Sequence, residues 1–181
     1  NEDGRNRLAV DIGTNGEMAL LHDGKTYVCS AAAGPAFEGA GITCGMRGAP
    51  GAIDSVDIGD AVRVTTIEDN RPVGICGSGL VDAIAEMLDA GIIDETGRML
   101  SRADVGHLPP AVAERLIETE SGVEFVLATA RESGRGEPIS LTAGDIRCIQ
   151  LVRVPFTPQY RLSSGQPESP MKTSLKFCFR A

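Results

Sequence analysis

At 181 residues the chain has the length of one domain, and a net charge of −8 argues against a nucleic-acid partner. With 42% hydrophobic residues, only 4% aromatic ones and 22 glycines, its core is expected to be Ala, Val, Ile and Leu linked by tight turns. No apolar run approaches the roughly 18–20 residues of a membrane span.

The five cysteines are odd in number and contain no CxxC pair, which argues against a zinc or iron–sulfur site within the chain and fits a reduced, cytoplasmic setting. The polar start, Asn1 to Arg7, has neither an initiator Met nor a secretory run and reads as a cut through a longer chain.

Residues 7–12, 17–22 and 25–31 are expected to form three antiparallel strands. Gly13-Thr-Asn-Gly16 turns the first hairpin, with Asn-Gly as its signal, and Asp23-Gly24 turns the second. Asp11 closes the first strand beside that glycine turn. Backbone N–H groups in such a turn can face an anion, and an adjacent carboxylate can hold Mg²⁺ through water. An ordinary Asn-Gly turn needs no ligand, so both readings stand at this point. Glu17 follows as a candidate for water orientation or as a plain strand-edge carboxylate.

Pro35 is expected to open a helix running towards Met46, and Gly45, Gly48 and Gly51 to punctuate a loop. Strands are expected at 52–58 and 61–67, joined at Gly59-Asp60, with a brief apolar run from Val73 to Cys76. Gly77-Ser78-Gly79 then opens a helix over 80–90, whose buried face would be Leu80, Ile84, Met87 and Leu88, with Gly91 as its stop. Asp82, Glu86 and Asp89 would form its solvated face. The N-terminus of that helix could attract an anion, or the glycines could serve close packing. His22 and His107 lack metal spacing and read as structural.

Pro109-Pro110 predicts a helix to about Thr119, and strands are expected at 123–129 and 138–141. Thr142-Ala-Gly-Asp145 resembles a capping box with Asp in the Glu position, opening a last helix through Ile146, Ile149 and Gln150. Composition then breaks. Residues 153–181 carry five basic residues, one acid and four of the seven aromatics, so they are expected to be a divergent tail, disordered or artefactual. Residues 1–152 would form the domain.

The segments VDIGTNGEMAL, CSAAAGPAFEGAGITCGMRGAPGAID, GICGSGLVDAIAEMLDAGIID and LTAGDIRCIQL, in this order, resemble the carboxy-terminal domain of the ATP-dependent reductive activators of corrinoid proteins. The resemblance spans about Leu8 to Leu151. It implies an α/β fold, an actin-like (ASKHA, ribonuclease-H-like) ATPase half-domain. Such a half-domain has a mixed sheet with an antiparallel three-stranded start and flanking helices.

The resemblance also implies ATP and Mg²⁺ as ligands. Asp11 would face the metal through water, and Gly13, Thr14, Asn15 and Gly16 would face the phosphates as the second phosphate loop. Gly77, Ser78 and Gly79 would lie near the nucleotide. The parent activator would carry a 2Fe–2S cluster in an amino-terminal ferredoxin domain and return Co(II) corrinoid to Co(I), the methyl-accepting state. Its partner would be a corrinoid iron–sulfur protein or a methyltransferase corrinoid subunit, and the parent could be a homodimer.

Where the family continues into an Ala- and Lys-rich helix and a Gly-rich adenosine-binding turn, this sequence reads VRVPFTPQYRLSSGQPESPMKT. The chain by itself is therefore expected to bind ATP poorly or not at all. Two other classes compete. One is a non-catalytic scaffold or docking module. The other is a small-molecule kinase of the same superfamily, which should add an acceptor pocket with a general base.

Overall fold

The computed structural model describes residues 6–12, 15–32 and 35–150, so the expected tail at 153–181 lies outside the described residues. The described residues divide into two compact units, one within residues 6–32 and one of Pro35–Gln150.

In the first unit, β1 (Arg7–Ile12), β2 (Asn15–His22) and β3 (Lys25–Ala32) form an antiparallel sheet in the order β1-β2-β3. The β2–β3 turn is the expected Asp23-Gly24, with φ of 49° and 72°. Two positive φ angles match the right-handed twist of the strands they join, which is why this pair suits a two-residue hairpin. The first hairpin differs from expectation. Asn15 and Gly16 are not the turn but the first residues of β2, because Asn15 finds a partner in Ala32, and Gly16 finds partners in both Ile12 and Ala31.

The second unit begins with a 3₁₀ turn at Pro35–Glu38 in place of the helix expected to reach Met46. Gly39 and Gly41, at φ of 79° and 80°, end it. A Cβ on Gly39 would collide with the backbone of Met46, so the chain folds back on itself here rather than spiralling onward. Strands β4 (Ala52–Ile58), β5 (Val62–Thr66) and β6 (Gly74–Ile75) follow. The pairing of β4 is antiparallel with β5 and parallel with β6, so this sheet is mixed. Residues 44–46 add a bridge on the far side of β6, through Met46 N–H to Ile75 O at 2.9 Å and Ile75 N–H to Cys44 O at 2.8 Å.

Helix α1 (Gly77–Asp89) packs on β4. Its buried stripe is Leu80, Ala83 and Met87, while Leu88, expected inside, is 42% exposed. Its acidic side is not merely solvated. The Asp82 carboxylate accepts from Val56 N–H and Ser55 Oγ, both at 2.7 Å, and Glu86 accepts from Ile58 N–H at 3.0 Å. Strand β6 pairs only with Ala52 and Ile53 of β4, and these carboxylates satisfy donors beyond that point. The helix ends as expected at Gly91, φ 71°, with Ile92 N–H on Met87 O and Gly91 N–H on Leu88 O. That is the paired ending in which a left-handed glycine returns two donors to the last turn. His107 adds a third bond, its Nε2 donating to Ala90 O at 3.0 Å.

Helix α2 is only Pro110–Ala113, not a helix to Thr119. Residues Leu116–Thr119 form β7, which pairs with β8 (Gly122–Ala128), and β9 (Ile139–Thr142) completes an antiparallel sheet in the order β7-β8-β9. Pairing with Phe125, which is fully buried, outweighs the weak local preference for continuing the helix. Helix α3 runs from 143 to 150, where the described residues end.

Between α2 and β7, Arg115 grips Glu132 with two bonds, 2.8 and 2.9 Å, and Thr129 N–H adds a third at 2.7 Å. The hydrogen bond from Arg115 is the main cause that takes the Glu132 carboxyl from its ordinary 4.5 down to about 2. A lowered folded-state value stabilises the fold above the unfolded value and loses that contribution as pH falls through the folded one. The 181-residue chain should therefore lose about 1 kcal/mol from this group between pH 4.5 and 2, a figure reduced for solvent screening because Glu132 is about half exposed. Urea titrations across that window should show the loss in the natural chain and a flatter profile in Glu132→Gln. Identical slopes would contradict the assignment.

Candidate functional site

The register of the first sheet places three polar residues in one row. Asp11 of β1 lies opposite Glu17 of β2, and Glu17 lies opposite Ser30 of β3. Directly paired residues of antiparallel strands share a face, so all three project on the same side. All three are exposed, whereas Gly16 and Met18 alternate inward. The Ser30 hydroxyl donates to Glu17 Oε1 at 3.2 Å. The row borders an open groove of about 580 Å³, which also takes in Ala9, Ala19 and Val28.

Two facing carboxylates repel each other, a cost that a cation would offset. Among the described residues no cluster of three or more His, Cys, Asp or Glu forms a metal cage. Asn15 and Gly16 open β2 next to this row, and Gly13 and Thr14 lie outside the described residues.

Gly77, Ser78 and Gly79 belong to the other unit, at the first turn of α1. Both glycines sit against backbone. A Cβ on Gly77 would run into the Phe37 carbonyl oxygen, and one on Gly79 into that of Ile53. Gly74, just before the turn, has the Met46 sulfur where a Cβ would stand. Close strand-to-helix packing is thus a sufficient reason for small residues here. The preceding Cys76 is buried, with Sγ 3.2 Å from Ile53 O and 3.3 Å from Ser78 Oγ, which makes it part of the same packing.

A further polar centre of this unit escaped the sequence reading. Thr142 and Asp145 form the expected reciprocal cap, with Thr142 N–H and Oγ1 on Asp145 Oδ2 at 2.9 and 2.8 Å, and Asp145 N–H on Thr142 Oγ1 at 3.2 Å. The other carboxylate oxygen, Oδ1, accepts from Thr43 N–H at 2.8 Å and Thr43 Oγ1 at 3.2 Å. Asp145 is 2% exposed, so it ties the start of α3 to the glycine loop at 39–46 from within the core. The cap was readable in the Thr-x-x-Asp spacing, but a partner 102 positions away leaves no local signal.

Comparison with known proteins places the chain. Residues 5–153 match the family described as the C-terminal domain of RACo, the ASKHA domain. The chain is 39% identical over 152 residues to the corrinoid activation enzyme RamQ of Eubacterium limosum, a match covering 83% of this chain and 26% of that one. It is 35% identical over 111 residues to the [Co(II) methylated amine-specific corrinoid protein] reductase of Methanosarcina barkeri, covering 49% of this chain and 21% of that one. A solved structure, the reductive activator for corrinoid, iron–sulfur protein, superposes with a TM-score of 0.74 at 41% identity, covering 88% of this chain and 25% of that one.

The chain thus spans about a quarter of the length of the first of these relatives and of the solved activator. Among the described residues no helix is long and apolar enough to cross a membrane. With an antiparallel three-stranded start, a mixed sheet and a family match over most of its length, this chain belongs to the family of the C-terminal ASKHA domain of RACo.

Proposed function

We propose that this chain is the second phosphate-holding lobe of a longer, cytoplasmic, ATP-dependent reductive activator. The activator would pass one electron from a low-potential donor, a reduced 2Fe–2S centre in another domain, to the Co(II) of a corrinoid protein and so yield Co(I). The lobe would have the actin-like, ribonuclease-H-like build of such ATPases. Support comes from the family and from the names its relatives carry, all of which concern corrinoid activation or reduction.

The observation that carries the nucleotide role is the open Asp11–Glu17–Ser30 row beside the Gly13–Thr14 connection. Asp11 would reach Mg²⁺ through water, and the amides of 13–16 would face the phosphates. Glu17 would order the water that attacks the terminal phosphate. Bound Mg-ATP would supply a difference in affinity between an open and a closed arrangement of the activator, the only means by which a ligand shifts such an equilibrium.

In the full-length protein, Asp11→Ala should weaken Mg-ATP binding at least ~10-fold by calorimetric titration, the loss of one charged contact at a phosphate site. Unchanged magnesium-dependent affinity would refute the nucleotide role of this hairpin.

A further inference from the structure

We infer that Ser30 is a positioning residue for Glu17. The inference rests on the nucleotide role proposed above and extends it to a residue on the third strand. Glu17 stands on the middle strand with one neighbour on each side, Asp11 on β1 and Ser30 on β3. Repulsion from Asp11 and the hydroxyl of Ser30 act on it in the same direction. Ser30 Oγ donates to Oε1 at 3.2 Å, so that oxygen is held on the β3 side of the row.

That hold separates two tasks that adjacent carboxylates would otherwise confuse. Asp11 keeps its oxygens for the cation, and Glu17, with Oε1 fixed, offers Oε2 to a water. Without the hydroxyl an exposed glutamate samples several rotamers, including those that bring it to the same cation as Asp11. The pairing of 17 with 30 follows from the two-residue turn at Asp23-Gly24, which also pairs 22 with 25, so the hydroxyl is held by backbone register rather than by its own mobile side chain.

The test compares Ser30→Thr with Ser30→Val in the full-length protein. These two side chains share shape and strand preference and differ only in the hydroxyl, so a role in folding alone would treat them alike. Steady-state ATP hydrolysis should show kcat retained within about twofold in Ser30→Thr and lowered ~3–10-fold in Ser30→Val, with KM for Mg-ATP little changed in both. Glu17→Gln should lower kcat at least as far as Ser30→Val does. Equal kcat in the Thr and Val variants, or an unaffected Glu17→Gln, would overturn the positioning role. Failure of the nucleotide reading is seen separately, as Mg-ATP affinity that survives Asp11→Ala.

Discussion

Gly79→Ala should destabilise the 181-residue chain by about 3 kcal/mol, although alanine is the better helix former by about 1 kcal/mol. The sign is decided by what the new methyl group meets. Its Cβ would stand 2.7 Å from the Ile53 carbonyl carbon, closer still to the oxygen, and 3.1 Å from the Asp54 amide nitrogen. These are backbone atoms of β4, and Ile53 is fully buried, so no side chain can swing aside to make room. Helix α1 would have to retreat from the strand and take Leu80, Ala83 and Met87 with it. Urea unfolding followed by circular dichroism measures this directly. A loss under about 0.5 kcal/mol would mean that glycine is retained there for some reason other than packing.

Asp145→Ala should cost a similar amount, about 3–4 kcal/mol. One substitution removes the carboxylate side of the reciprocal cap of α3, takes the acceptor from the N–H and hydroxyl of both the half-buried Thr142 and the exposed Thr43, and empties a position that is itself only 2% exposed. Asp145→Asn should fall between, because one carboxylate oxygen becomes an NH₂ group facing donors it cannot satisfy. The same urea experiment serves. A near-neutral Asp145→Ala would show that water replaces the carboxylate and that the 39–46 loop does not depend on it.

Sequence and structure agree best where the signal is local and strong. The Asp23-Gly24 hairpin, the Gly91 helix stop and the Thr142–Asp145 cap each occupy a few residues with specific backbone demands, and all three are present. Disagreement follows when partners far along the chain decide. The stretch after Pro110 carries a helical start, but Leu116 is drawn into a strand by pairing with Phe125, and Arg115, in the turn before it, is held by Glu132. Asp82 and Glu86 look like a wetted helix face until β4 presents unpaired amides beneath them. The segment after Pro35 fails as a helix because Gly39 and Gly45 meet backbone to backbone, a contact that no periodicity encodes.

The candidate site was legible in part. Asp11 and Glu17 stand out in the hairpin pattern, but a turn over residues 13–16 would pair Ile12 with Glu17, one residue away from the observed pairing of Asp11 with Glu17, and would put the two carboxylates on opposite faces. Asn-Gly has a strong hairpin preference in isolation, but here both residues find strand partners on β3. Ser30 carried no motif. Its place in the row depends on counting two residues in a turn and then five steps outward along each strand.

The most direct measurement is Co(I) formation by the full-length protein, supplied with a low-potential one-electron donor and a corrinoid protein holding Co(II), followed by the absorbance of the reduced corrinoid. Co(I) should accumulate with Mg-ATP and not without it, and Asp11→Ala should abolish the nucleotide's effect. Equal Co(I) formation in the presence and absence of ATP, or an ATP response undiminished in Asp11→Ala, would contradict the assignment of this lobe to nucleotide-driven corrinoid reduction.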